Sequence, residues 1–342
     1  MTRAIGFDVE TAYGTASTSY KFIKALNIEK NVDRGAMLEE TIDAKLYNAA
    51  YGGALKVSGS VESNFRPGQH ANLLEALMGN AVAGTGLVTY SLDDPLSLTA
   101  CLIDDSSCTD YAQQIKGVGI KSAAFTFAPK EYVKVKYDWF GQNIMELASV
   151  PTVSYVDEKP VVFDGAVISL AGTPVTTIKA LDISIDRKLD EDNYVIGSSV
   201  VQGGCTSGPS VNGVADIGGT LTFTQGAWTE YLRAQYGVGT GLSGKKIAES
   251  VGEAGTTPND LGSASLSIKM KYPDGTKAAA ITATALVYTD SSISMQGRQG
   301  VDKKVSFKIV GDKTDDFNII TGASAFTSFN DFYTEAGGES EY

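Results

Sequence analysis

Histidine is almost missing from this chain: His70 stands alone in 342 residues. Imidazole is the commonest proton-transfer group near neutral pH, so its scarcity argues against acid–base catalysis. Cysteine is scarce as well. Cys101, Cys108 and Cys205 are odd in number and follow no metal-ligand spacing, which excludes a disulfide framework or a zinc site. They read as reduced thiols of a protein that matures in cytoplasm, with no histidine partner to activate a thiolate. Positive charge is short too. The formal net charge is −12, and such a surface repels phosphate, so tight nucleic-acid binding is not expected. No apolar run approaches the roughly 18 residues of a membrane span. The opening MTRAIGFDVE carries no long apolar stretch, so no signal peptide is expected.

Glycine is what the chain has in quantity, 37 against 9 prolines, together with abundant Thr, Ser and Val. That mixture favours short strands joined by glycine turns, and the expected fold class is mainly β (α+β). Hydrophobic residues at 43% and charged residues at 20% are ordinary for a globular protein, and 342 residues allow about two domains.

The word IKAL occurs twice, at residues 23–26 and 178–181, an offset of 155. A second pair lies at an offset of 158: FRPGQHANLLEALMG from Phe65 and FTQGAWTEYLRAQYG from Phe223. Ungapped, these match at Phe65/Phe223, Gly68/Gly226, Leu74/Leu232, Ala76/Ala234 and Gly79/Gly237, against about one identity expected by chance. Two similar stretches in one order and nearly one register predict an internal duplication, with domains over residues 1–150 and 151–342. Residues 147–160, with Pro151 and Pro160, read as the junction.

Each half has the same expected grammar. An alternating strand places Leu181, Ile183 and Ile185 opposite Ala180, Asp182, Ser184 and Asp186; in the first half Leu26 and Ile28 oppose Ala25, Asn27 and Glu29. A long polar loop follows (residues 31–53 and 187–218), then a second strand. Next comes a short helix whose packed face is Leu73, Leu74, Leu77 and Met78 in one half and Trp228, Tyr231, Leu232 and Tyr236 in the other. Gly79 and Gly237 are placed as C-terminal caps. Closing strands follow, turned at residues 128–130 and 273–277. Each half should be a β-sandwich or half-open barrel with one helix packed on it.

If the apolar faces turn inward, Asn27, Glu29, Asp182, Ser184 and Asp186 meet water, and those two strand faces carry no basic residue. Paired acids such as Asp93–Asp94 and Asp104–Asp105 sit among turn residues and need no metal or glycosidase role. GTGLSGKK at residues 239–246 approaches a phosphate loop, but Lys246 stands where Ser or Thr should hold magnesium, and the segment follows a helix instead of a strand. His70 answers to Trp228 in the repeat, which points to packing. Neither a catalytic residue nor a cofactor is expected.

IGFDVETAYGTAS near the start, VSGSVESNFRPGQHANLLEALMG further on, and the closing strands together resemble a tail tube protein of long-tailed viruses. The resemblance spans roughly residues 5–310. It implies a non-enzymatic virion protein, assembled in the host cytoplasm, whose copies form rings that stack into a hollow tube for viral DNA. A ring of this family presents six tube domains, so a duplicated chain would close as a trimer with pseudo-six-fold symmetry. The partners implied are copies of the chain itself, other tail proteins, and DNA sliding through the lumen without specific binding. The loop after the first strand would be the arm reaching the adjacent ring, and the polar strand faces would line the lumen. The alternative is a carbohydrate- or host-binding β-sandwich module of a tail tip or fibre, which should stay a monomer or small oligomer.

Overall fold

The computed structural model describes residues 3–35, 37–39, 45–47, 49–51, 55–104, 111–190, 210–224, 231–232, 263–274, 277–295 and 301–322. The first half contains β1 (Arg3–Val9), β2 (Lys21–Ile23), β3 (Ala25–Asp33), β4 (Met37–Glu39), β5 (Ala49–Tyr51) and β6 (Lys56–Asn64). Helix α1 (Ala71–Met78) follows, then β7 (Gly79–Gly84), β8 (Leu87–Leu92), β9 (Leu98–Asp104), β10 (Tyr111–Phe127), β11 (Lys134–Gly141) and β12 (Asn143–Glu146). The second half contains β13 (Val162–Leu170), β14 (Thr173–Pro174), β15 (Ile178–Asp186), β16 (Asp216–Phe223), β17 (Ser263–Lys271), β18 (Lys277–Met295), β19 (Val301–Ile309) and β20 (Phe317–Thr321). The fold is mainly β, as its glycine-, threonine- and valine-rich composition suggests, and every strand pairing among the described residues is antiparallel.

One long strand organises each half. In the first, β10 pairs with β9 over its N-terminal part and with β11 over its C-terminal part; β1 and β2 extend one side, and β6 and β3 the other. In the second, β18 pairs with β17 and then with β19; β13 and β14 extend one side, and β16 and β15 the other. The order β3-β6-β11-β10 thus recurs as β15-β16-β19-β18. Bulges recur with it. Lys121 interrupts β10 against β11 as Thr289 interrupts β18 against β19, and Leu26 interrupts β3 against β6 as Lys179 interrupts β15 against β16. A bulge bends its strand and sharpens the twist, and in both long strands it lies close to where one neighbour gives way to the next.

The halves join edge to edge. Residues 122–127 of β10 pair with β15 from Ser122↔Asp186 to Phe127↔Leu181, and β20 pairs back onto β8. Arg187, just past β15, is buried against the first half: Nη1 reaches the Met78 carbonyl at 3.5 Å, and Nη2 donates to that of Asp93. A guanidinium there meets the negative end of α1. Glu158, in the irregular stretch between the halves, accepts hydrogen bonds from Gly68 N–H (2.8 Å) and the Tyr272 hydroxyl.

Helix α1 packs as its spacing predicts, with Leu73, Leu74, Leu77 and Met78 all buried. They share one core with Phe65, Phe125, Phe127, Tyr137, Leu181, Ile183, Ile185, Leu221 and Phe223. Gly79 ends the helix at φ 93°, and a Cβ there would lie 2.3 Å from the Asp94 carbonyl, so glycine is required twice over. Of the second expected helix, Tyr231 and Leu232 are helical and Tyr231 is buried; Trp228, Tyr236 and Gly237 lie outside the described residues. One expectation fails. Leu26 does not face the core with Ile28 but is 57% exposed, because it is the extra residue of the bulge between Ala25 and Asn27.

Candidate assembly and channel face

A single polar face runs across the eight strands from β3 to β18. Antiparallel register places residues of one parity in rows across the sheet. One row reads Asn27, Glu62, Lys136, Ala124, Ser184, Gly218 and Lys308; the next reads Glu29, Ser60, Asp138, Ser122, Asp186 and Asp216. A third runs from Thr126 through Asp182, Thr220 and Ser306 to Asp290. All five residues expected on the polar strand faces stand here: Asn27, Glu29, Asp182 and Ser184 are exposed, and Asp186 is half-buried. The opposite parity supplies Ala123, Phe125, Phe127, Leu181, Ile183, Ile185 and Leu221 to the core.

The face is mixed in charge and not purely acidic. Neighbouring strands bring Lys134 and Lys136 from β11 and Lys304 and Lys308 from β19 onto it. The alternation KVKYD and KVSFK already carried that signal. Several lysines are held by acids: Lys136 Nζ lies 3.3 Å from Asp138, Lys308 pairs with Asp216, and Lys188 Nζ lies 2.6 Å from Asp186. Partial burial pushes the Asp186 acid up, but hydrogen bonds and charge from Lys188 outweigh it and hold the carboxyl below its usual range. Asn27 donates to Glu29 at 3.0 Å, Ser60 to Glu29 at 3.3 Å and Ser122 to Asp138 at 3.0 Å. The result is a wall whose charges answer one another locally.

The groups with possible chemistry are occupied structurally. His70 is fully buried, stacked on Phe65 with ring centroids 5.5 Å apart. Its Nε2 lies 2.6 Å from Ser63 Oγ, and its Nδ1 lies within 3.0 Å of the Arg66 backbone, so either neutral tautomer satisfies both nitrogens. Burial drives its pKa down to about 3, aided by the Arg66 charge and only partly offset by the Arg66 backbone hydrogen bond. Burial pushes the Cys101 thiol up to about 11, the opposite of an activated nucleophile. Glu10 is buried but saturated. Its two oxygens accept from Gly14 N–H, Ser97 Oγ, Thr99 Oγ1 and Gly117 N–H, all at 2.8–2.9 Å. Among the described residues no cluster of His, Cys, Asp and Glu is placed to hold a metal, and no helix is long and apolar enough to cross a membrane. Cys108, Cys205 and residues 239–246 lie outside the described residues.

Two glycines behind the polar wall, on its core-facing side, were not singled out by sequence spacing. Gly59 in β6 lies under the Trp139 indole, and Gly219 in β16 under the Phe307 ring. No curated protein matches the chain. The family model described as phage tail tube protein, however, matches residues 2–322, and the chain belongs to that family: it is a structural component of the virion tail that assembles with itself and other tail proteins.

Proposed function

We propose that three copies of this chain close into a ring around a central bore, each copy supplying two tube domains. The rings stack into the channel through which viral DNA is delivered. The observation that carries this reading is the recurrence of one four-strand order, with its bulges, in the two halves of the chain. One ancestral sheet-and-helix unit copied in tandem, over residues 1–150 and 151–342, explains that recurrence. Two such blocks already lie side by side through the β10–β15 pairing, polar on one face and packed on the other.

In this arrangement the polar face lines the bore. Asn27, Glu29, Asp182, Ser184 and Asp186 meet the DNA, and the lysines of β11 and β19 stand among acids. Duplex DNA carries one negative charge per about 1.7 Å, so unpaired lysines along the wall would trap it. An acidic, internally paired wall lets it slide. The β4–β5 hairpin, in the loop after β3, is the arm that reaches the adjacent ring.

Negative-stain microscopy of the purified protein at high concentration tests the reading. Tubes of uniform diameter with three chains per ring are expected; a particle that stays monomeric and lacks a pore would overturn it.

A further inference from the structure

The seam inside the chain has a counterpart that is not yet made. Within the chain, β10 offers the outer edge of residues 122–127 to β15, and both edges are thereby used. In the second half the same stretch of the long strand is residues 290–295 of β18. There β19 occupies one edge, while β17 stops pairing at Val287. In the first half, the strand answering to β15 is β3, which pairs with β6 alone among the described residues. Among the described residues the chain thus leaves one donor edge and one acceptor edge of the kind its own middle joins.

The bulges fix the correspondence to single residues. Ser122, the residue after the β10 bulge, answers to Asp290 after the β18 bulge. Asn27, after the β3 bulge, answers to Ala180 after the β15 bulge, so Asp33 answers to Asp186 and Arg34 to Arg187. The dipeptide Asp-Arg stands at both places.

Resting on the ring reading, we propose that residues 290–295 of β18 pair antiparallel with β3 of a second copy. The register is Asp290 opposite Asp33, Ser292 opposite Asn31 and Ser294 opposite Glu29. Arg34 enters that neighbour as Arg187 enters the first half of its own chain. An unpaired strand edge is a template for another chain, and a closed circuit of such pairings removes every edge. Arg34 is exposed in the single chain, whereas Arg187 is buried and bonded to two carbonyls. Ring closure gives Arg34 the same burial.

Cysteine cross-linking of assembled tubes tests the register. Asn31→Cys with Ser292→Cys should, on mild oxidation, link chains into covalent dimers and trimers. The internal equivalent, Ala124→Cys with Ser184→Cys, should oxidise within one chain. A shifted pair, Asp33→Cys with Ser292→Cys, should link poorly. Should the first pair disturb folding, Glu29→Cys with Ser294→Cys probes the same register. Tubes that form normally but cross-link at the shifted pair, or at neither in-register pair, overturn the seam and leave the ring reading standing. Wild-type protein without rings overturns the ring reading itself. Arg34→Ala should weaken assembly at least tenfold in critical concentration while the unassembled chain melts as wild type. Unaltered assembly of that variant would refute the role given to Arg34.

Discussion

Gly59 in β6 and Gly219 in β16 stand in the same relation to their neighbours, each between a strand that carries a buried aromatic and one that carries a polar-face acid. A Cβ on Gly59 would lie 2.2 Å from the Glu29 carbonyl oxygen and 2.4 Å from the Trp139 ring; on Gly219 it would lie 2.1 Å from the Asp182 carbonyl oxygen and 2.8 Å from the Phe307 ring. Each glycine pairs with the strand that carries its aromatic on one side and its polar-face acid on the other. An aromatic laid over a strand glycine excludes water from a backbone with no side chain of its own, and it leaves no room for a methyl.

Gly59→Ala and Gly219→Ala should therefore each destabilise by about 1–3 kcal/mol, the usual cost of overpacking, since a backbone carbonyl cannot swing aside. Thermal melting of the unassembled chain checks this. Gly84→Ala, whose Cβ would first meet the mobile end of Leu87 at 3.1 Å, is the mild control.

These two glycines also show what sequence reading could reach. Alternation found the buried and polar faces of β15, where side chains on both sides obey a period of two. The helix was legible from Leu73, Leu74, Leu77 and Met78 and its glycine stop. Matching the bulges gives another register between the halves than matching the IKAL words, because bulges are backbone events with no fixed residue signature. Aligning the IKAL words sets Ile23 against Ile178, whereas the bulges set Ala25 against Ile178, 153 residues on. Alternation alone likewise puts Leu26 in the core, where the bulge turns it out to solvent. The lysines of β11 and β19 were visible as alternation, but only strand order puts them on the same wall as Asp182 and Glu29.

His70 gives the fold a pH dependence of defined sign. The unfolded imidazole takes its proton near pH 6.5, the buried one only near 3. Between these values the unfolded state holds more protons, so stability falls as pH is lowered, by about 1.4 kcal/mol per unit once well below 6.5. Unfolding free energies from urea titrations at pH 6.5 and 5.0, where carboxylates contribute little, should differ by about 1.5–2 kcal/mol. In His70→Leu most of that difference should vanish, even though the variant loses the Ser63 contact and is less stable throughout.

Arg187 ties the two halves by a fork that lysine cannot copy. Its guanidinium reaches the Met78 carbonyl at the end of α1 and the Asp93 carbonyl just past β8, and burial pushes its pKa down while Asp94 and Asp93 pull it back up. Arg187→Met keeps the apolar stem and should cost about 1.5–3 kcal/mol, the range for hydrogen bonds to charged groups. Arg187→Lys should recover little of it, because an ammonium lacks the planar pair of donors. Chemical denaturation of the three proteins side by side measures both effects.

The channel reading predicts what reversing the wall's charge should do. Asp182 and Asp186 are four residues apart on β15, and both face the polar side. Asp182→Lys with Asp186→Lys would place three new ammonium pairs around each proposed ring, repeated at every level of the stack. Their counterions are displaced when DNA arrives, so retention should be strong at low salt and relax steeply as salt rises. Virions carrying the double variant should form tails of normal length yet eject DNA more slowly, with the delay shrinking at high ionic strength. The neutral pair Asp182→Asn with Asp186→Asn should eject nearly as wild type, separating added positive charge from the mere loss of carboxylates. Ejection at wild-type speed from lysine-bearing tails would place these residues away from the DNA.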